Sequence, residues 1–136
     1  MKAPAALLWE RALTAFKSAK VLLATDAEGA VSRAYYAAFY AASAVFAGEK
    51  KYFLRHSALR AAVHKELIHG GRWPEERGRD YRMLSESRET ADYGEMRAVS
   101  EETAEEAIEA ARRILEEVSR SQPGAFPLPP DFFQVT

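Results

Sequence analysis

Apolar residues recur every three or four positions over most of the chain, a spacing that predicts helices and gives no convincing strand. The predicted helices span about residues 4–25, 28–47, 55–69, 74–93 and 101–121. Turn and cap signals separate them, namely Asp26, Gly48, Gly70-Gly71, Pro74 and Ser100. Because the connections are short, we expect antiparallel neighbours in an all-α, up-and-down bundle of four main helices and a shorter one.

The pattern changes after Gln122. Four prolines between residues 123 and 130 exclude a regular helix there, while Phe126, Phe132 and Phe133 still offer apolar surface to bury. We therefore divide the chain into a helical bundle over residues 1–121 and a proline-rich C-terminal tail over residues 122–136. The tail is expected to dock through its phenylalanines, either on its own subunit or on a partner.

The second helix is apolar almost all round. At 100° per residue, one face carries a polar and aromatic set, made up of Ser32, Arg33, Tyr36, Tyr40 and Ser43. The opposite face is lined by small residues such as Ala34, Ala38 and Ala41. Such a helix contacts either its own bundle plus a partner subunit or cleft, or only its own bundle with every hydroxyl satisfied internally. We expect a homodimer that uses this helix or its immediate neighbours.

Arg88 and Asp92 lie one turn apart near the end of the fourth helix, on the line that carries Tyr81 and Leu84. A partly buried charge must be paired, so we expect Arg33, Arg88 and Asp92 to form one polar cluster between the second and fourth helices. The functional alternative is that the arginines receive a phosphate, which suits the planar guanidinium group.

Composition narrows the class of protein. The chain has 136 residues, 48% of them hydrophobic and 29% charged, which is typical of one globular domain. No charge-free apolar run is long enough to cross a bilayer, and the start of the sequence does not have a signal-peptide pattern, so we expect a cytoplasmic protein without membrane contact. Cysteine is absent, which excludes disulfides and thiolate metal sites.

The net charge of −1 conceals an asymmetry. Residues 1–97 carry 16 Lys/Arg against 12 Asp/Glu, whereas residues 98–136 carry 3 against 8. The positive excess lies between Lys50 and Arg82, where a basic surface would suit nucleic acid or an acidic partner, or would simply be a solvated surface.

On the fifth helix, Glu109 and Arg113 have the spacing of an i,i+4 ion pair.

The histidines at positions 56, 64 and 69 do not have the spacing of a metal site. His64 and His69 are five residues apart, off the i,i+4 spacing of two ligands on one helix, and no acidic or cysteine cluster accompanies them. We therefore expect no metal and no other cofactor.

His56, beside Arg55 at the start of the third helix, is the acid–base candidate, or else a helix-start or interface hydrogen-bonding residue.

The segment from Ser32 to Ala42, with the sequence SRAYYAAFYAA, is followed by His56-Ser57 and by Arg88, Ala91, Asp92 and Tyr93. This combination resembles the HEPN domain family, in particular its small stand-alone prokaryotic members, over about residues 5–120. The resemblance implies a dimerising helical bundle that is often encoded beside, or fused to, a minimal nucleotidyltransferase, as toxin and antitoxin or as a substrate-binding partner.

The resemblance also implies a test for catalysis. Catalytic HEPN members are metal-independent RNases with an Arg-x4–6-His motif, whose arginine and histidine meet across the dimer. No arginine stands at these positions before His56, His64 or His69. We therefore expect a non-catalytic, homodimeric binding module that acts with a nucleotidyltransferase and has nucleotide or RNA as its candidate ligand. The alternative is a metal-independent endoribonuclease that uses His56. The residues expected in the ligand site or polar cluster are Ser32, Arg33, Tyr36, Tyr40, His56, Arg88, Asp92 and Tyr93.

Overall fold

A computed structural model describes residues 2–93 and 98–134, and the side chains of these residues except for those at positions 92 and 93. Its α-helices are α1 (Pro4–Leu22), α2 (Ala27–Gly48), α3 (His56–Ala62), α4 (Glu75–Tyr93) and α5 (Glu101–Ser121). A π-helical turn (Val63–Ile68) follows α3, and a 3-10 turn (Phe132–Gln134) lies in the tail. No strand occurs in these ranges, and the predicted all-α bundle is confirmed.

The helix starts follow from local chemistry. The Asp26 carboxylate accepts a hydrogen bond from the Gly29 backbone N–H at 2.9 Å and caps α2. The Ser100 hydroxyl accepts from the Thr103 N–H at 3.0 Å and caps α5, whose first turn carries two glutamates that favour the positive end of the helix dipole. The first helix begins with Pro4. Proline has no N–H, and at the first position of a helix an N–H would have no partner within the helix.

The second helix lies at the centre of the bundle, where it packs against α1, α4 and α5. Its alanines carry this packing, since Ala34, Ala37, Ala38, Ala41 and Ala44 are all fully buried. Small side chains allow the neighbouring helices to approach closely, so the predicted small-residue face is the interior face of the bundle. The opposite face, with Tyr36, Phe39 and Tyr40, is only half-buried.

The contact between α4 and α5 corrects one expectation. Arg113 does not pair with Glu109 but donates two hydrogen bonds to the buried Asp80 carboxylate of α4, at 3.0 and 3.1 Å. Glu109 accepts from Arg112 instead. A nearly buried carboxylate requires a cation, and Asp80 receives a second one from Arg77 at 3.0 Å. This demand across the helix interface outweighs a solvent-exposed pair within one helix.

The tail after α5 docks on its own subunit. Phe126 is buried against Trp9, whose indole Nε1–H donates to the Pro127 carbonyl at 2.7 Å. Further along, Phe132 and Phe133 both pack on Phe16 of α1. The expected docking through these phenylalanines is therefore seen, and the 3-10 turn at Phe132–Gln134 is its only helical part among the described tail residues.

The third predicted helix consists of two parts in the structure. Residues His56–Ala62 are α-helical, and residues Val63–Ile68 form the π-helical turn. The extra residue in each π turn shifts the following side chains around the axis relative to an α-helix, and a hydrophobic pattern this short does not reveal such a shift.

None of the helices in the described ranges is long and apolar enough to cross a membrane.

Candidate functional site

A cavity of about 410 Å³ opens between α3, the π-helical turn and α4, with its floor on α2. We call it the α3–α4 pocket. Its lining residues are Tyr35, His56, Ser57, Arg60, Ala61, His64, Ser85, Arg88 and Glu89. A volume of this size is within the range of small-ligand sites. Among the described lining residues, two arginines and two histidines outnumber one carboxylate, Glu89, which favours an anionic ligand.

Tyr35 and His56 form the centre of the pocket. The Tyr35 hydroxyl lies 2.6 Å from Nδ1 of His56, and the imidazole stacks on Phe39 with the ring centres 4.4 Å apart. Burial raises the pKa of Tyr35 to about 12, against the opposing effect of the Arg88 charge, so the phenol keeps its proton. When it donates that proton to Nδ1, the neutral imidazole carries its own proton on Nε2.

Arg88 of α4 lies over the same tyrosine from another direction. Its guanidinium carbon is 4.7 Å from the centre of the Tyr35 ring, a cation–π arrangement. A guanidinium stacked on a ring is restricted in orientation. Tyr35 therefore positions both His56, through its hydroxyl, and Arg88, through its ring.

Arg60 differs from the arginines that form ion pairs within the bundle. Arg72, Arg77, Arg112, Arg113 and Arg120 each pair with a glutamate or aspartate. Arg60 is half-buried in the pocket wall, and no carboxylate pairs with it in the part of the chain that the structure describes. A partly desolvated cation without a counter-charge favours an anionic ligand.

The two histidines of the pocket have lowered pKa values, mainly because they are partly buried. Burial, and then the Arg88 charge, hold the pKa of His56 below its ordinary value of 6.5. Burial also lowers the pKa of His64, followed by the charges of Arg82, Arg60 and His69. Both imidazoles are therefore mostly neutral at pH 7, and each can accept a proton when an anion enters.

The residues expected from the sequence are divided between two places. His56 and Arg88 lie together in the α3–α4 pocket. Arg33 instead stacks on Tyr36, with its guanidinium carbon 4.9 Å from the ring centre. With Tyr40 it also lines a separate cavity of about 380 Å³ beside α1. Ser32, Tyr36 and Tyr40 lie on the half-buried face of α2, where the Tyr36 ring also contacts His56 with the ring centres 5.7 Å apart.

Arg33 and Arg88 lie on different tyrosines and line different cavities. The expectation that these two arginines share one cluster with Asp92 is therefore wrong for the arginines. Neighbouring positions on a helix point about 100° apart, so Tyr35 and Tyr36 direct their partners to different faces. The side chains of Asp92 and Tyr93 lie outside the described residues.

Of the nine lining residues that the structure describes, only His56 and Arg88 were predicted as site residues, and the titratable or charged ones that were missed include Tyr35, Arg60 and His64. A signal was available, because His56, Arg60 and His64 are spaced at i, i+4 and i+8 and so share one side of a helix. No group of three or more metal-ligating side chains is present among the residues described.

The basic region between Lys50 and Arg82 is partly neutralised within the fold. Lys51 pairs with Glu66 at 2.7 Å, and Arg72 pairs with Glu49 at 2.6 Å. Lys50 and Arg55 are exposed, and Arg60 lines the α3–α4 pocket, so the positive charge that remains is shared between the surface of this segment and the pocket.

The chain matches the HEPN domain family over residues 5–121, from the first turn of α1 to the end of α5. It is also 34% identical over 111 residues to a UPF0332 protein of Thermotoga maritima, an alignment that covers 81% of this chain and 84% of that protein. The family match includes the α2 motif, His56 and Arg88, the residues that suggested the resemblance. The chain belongs to the HEPN domain family.

Proposed function

We propose that this protein is a non-catalytic HEPN binding module that holds a phosphate group of a nucleotide or an RNA in the α3–α4 pocket. The observation that carries the proposal is Arg60, a half-buried arginine that lines the pocket without a carboxylate partner among the described residues. Arg88 adds a second guanidinium, and Ser57 adds a hydroxyl. Guanidinium and hydroxyl groups are common partners of phosphate in proteins.

Equilibrium binding tests this proposal. Fluorescence anisotropy with a labelled ten-nucleotide single-stranded RNA, and calorimetry with 5′-AMP, should both show binding that weakens as salt is raised from 50 to 200 mM. Arg60→Gln should weaken binding about tenfold, since it removes a charged hydrogen-bond donor worth about 1.5 kcal/mol or more.

The matched control is Arg79→Gln. Arg79 lies on α4, its side chain is 62% exposed, and it pairs only loosely with Glu76 at 3.6 Å. This variant loses the same charge outside the pocket and should bind like the parent. Equal weakening in both variants would show that net charge alone, rather than the pocket, governs binding.

We also propose that the module is a homodimer that uses the half-buried face of α2. Tyr36, Phe39 and Tyr40 form a connected aromatic surface there, with ring centres 5.7–5.8 Å apart. Aromatic side chains at this density are typical of protein interfaces. Arg33 rests on the same surface and supplies a polar rim.

A minimal nucleotidyltransferase is the proposed protein partner, in a toxin–antitoxin or substrate-binding arrangement, and the support for it is family membership. Co-expression with a nucleotidyltransferase encoded beside this chain, followed by affinity purification and size-exclusion chromatography, should yield a single complex. Separate elution of the two proteins at micromolar concentration would contradict the partnership.

One observation favours the second candidate, a metal-independent endoribonuclease. Although the Arg-x4–6-His spacing is absent, the fold brings Arg88 and Arg60 to the pocket that contains His56. A neutral imidazole beside guanidinium groups has the components for general acid–base cleavage of RNA. RNA incubated in chelator should remain intact if the protein is only a binding module. Cleavage that His56→Ala abolishes and His69→Ala retains would establish the enzyme instead.

A further inference from the structure

The loop between α2 and α3, residues 49–55, exposes apolar side chains that the fold leaves uncovered. We call it the α2–α3 loop. Tyr52 is 61% exposed and Leu54 is 99% exposed, and they are two of the four large apolar residues that are exposed in the described part of the chain. A single exposed apolar side chain is ordinary, whereas two of them within three residues indicate a surface that a ligand or a partner covers.

The fold holds this loop in place. Phe53 packs on Phe46, with the ring centres 5.2 Å apart. The Lys51 backbone N–H donates to the Phe46 carbonyl at 2.9 Å, and the Lys51 ammonium pairs with Glu66 of the π-helical turn at 2.7 Å. An anchored backbone therefore presents the exposed side chains on either side of Phe53.

Two cations flank these exposed side chains. Lys50 and Arg55 are both exposed, and no carboxylate pairs with either of them among the described residues. Basic side chains around an exposed aromatic ring are typical of surfaces that bind single-stranded nucleic acid, because bases stack on the ring while the cations follow the phosphates.

The loop leads directly into the α3–α4 pocket. Arg55 precedes α3, and His56, the first residue of α3, lines the pocket. The chain from Tyr52 to His56 spans at most about 14 Å. A stacked strand advances about 3.4 Å per nucleotide, so about four nucleotides reach from the pocket to Tyr52. This continuity favours one strand that contacts both places over a separate protein partner on the loop.

We infer that the α2–α3 loop is a second subsite for the ligand of the α3–α4 pocket, and that this ligand is a single strand of RNA rather than a free nucleotide. One phosphate lies beside Arg60 in the pocket, a base further along the strand stacks on Tyr52, and Arg55 contacts the backbone between them. Leu54 adds apolar area beside that base. This inference rests on the proposed phosphate-binding function and adds a strand-binding surface outside the pocket.

The experiment compares 5′-AMP with an RNA tetranucleotide of adenylate by calorimetry. The tetranucleotide should bind at least tenfold tighter, because only it reaches the loop. Tyr52→Ala should reduce this advantage to about twofold or less and leave the affinity for 5′-AMP unchanged, since loss of one base–aromatic stack weakens binding about fivefold or more. Tyr52→Phe should retain the advantage. Val21→Ala, which truncates another exposed apolar side chain, should bind both ligands like the parent.

Salt dependence separates the cation from the ring. Arg55→Gln should lower the slope of log affinity against log salt for the tetranucleotide by about 0.7, the value for one phosphate contact on a single strand. Tyr52→Ala should leave this slope unchanged, and so should Arg79→Gln, which removes an exposed cation of α4. Thermal melting confirms that each variant is folded.

Two results overturn this inference and leave the proposed function standing. The tetranucleotide binds no tighter than 5′-AMP, or Tyr52→Ala binds the tetranucleotide like the parent. A change of mass in light scattering for Tyr52→Ala or Leu54→Ser, at unchanged tetranucleotide affinity, also overturns it and assigns the loop to an interface between copies of the chain. Failure of 5′-AMP, the tetranucleotide and the ten-nucleotide RNA to bind overturns the proposed function itself.

Discussion

Replacement of Tyr35 by phenylalanine tests the centre of the pocket with the smallest possible change. Tyr35 is 2% exposed, and its ring contacts Phe39, Tyr81 and the Arg88 guanidinium. Phenylalanine keeps all of these ring contacts. What is lost is the hydroxyl, and with it the 2.6 Å hydrogen bond to Nδ1 of His56.

The expected loss follows from this hydrogen bond. A neutral hydrogen bond contributes about 0.5–1.5 kcal/mol to stability, and His56 is only half-buried, so water can replace part of the interaction. We therefore expect Tyr35→Phe to lower the free energy of unfolding by about 1 kcal/mol, which is a drop in Tm of about 3–5 °C for a domain of this size.

Urea denaturation followed by circular dichroism measures the difference. Tyr40→Phe is the matched control, because this tyrosine lies on the same helix and is half-buried on the other face. It should stay within about 0.5 kcal/mol of the parent. If Tyr35→Phe is as stable as Tyr40→Phe, the hydroxyl does not hold His56. A loss above about 3 kcal/mol would mean that the ring itself has moved.

Three further predictions concern the tail, the histidines and the dimer. Phe126→Ala should destabilise the protein by about 3–5 kcal/mol, because the ring is fully buried against Trp9; denaturant midpoints close to the parent would show that the tail is not docked. Because His56 and His64 have lowered pKa values in the fold, the unfolded chain binds protons first, and stability should fall as pH is lowered from 7 through 6.5 towards 5. The double variant His56→Gln/His64→Gln should show a shallower fall, and an unchanged slope would contradict the burial of these rings. Light scattering at tens of micromolar should give a dimer that Tyr40→Glu dissociates and that the exposed Val21→Glu leaves intact, whereas a monomeric parent would refute the interface.

The helical architecture was predictable because each element has its own local signal. The apolar stripe of α5, its cap at Ser100 and its acidic first turn all lie within one stretch of sequence, and the structure has the helix at Glu101–Ser121. The alanines of α2 likewise predicted a close-packed face, and these residues are buried in the structure. Such features depend on neighbours in the chain, which a sequence displays directly.

The pairing of charges was less predictable, because it depends on neighbours in space. Arg113 had a suitable partner four residues away in Glu109, yet it binds Asp80 from another helix. Arg33 and Arg88 were expected together but lie on adjacent tyrosines that point in different directions. The π-helical turn that contains His64 could not be predicted either, because it is six residues long and its apolar spacing does not differ recognisably from that of an α-helix.

The central claim is that a phosphate binds between α3 and α4, and its position can be measured residue by residue. Titration of isotopically labelled protein with 5′-AMP, followed by NMR of backbone amides, histidine rings and arginine side chains, reports which groups change environment. The account predicts the largest shifts at His56, Arg60, Ser85 and Arg88, with the His56 ring signals moving towards the protonated form. Saturable shifts confined to the Lys50–Arg55 segment, or to Lys17 and Lys20 beside the tail, would place the ligand elsewhere and contradict it.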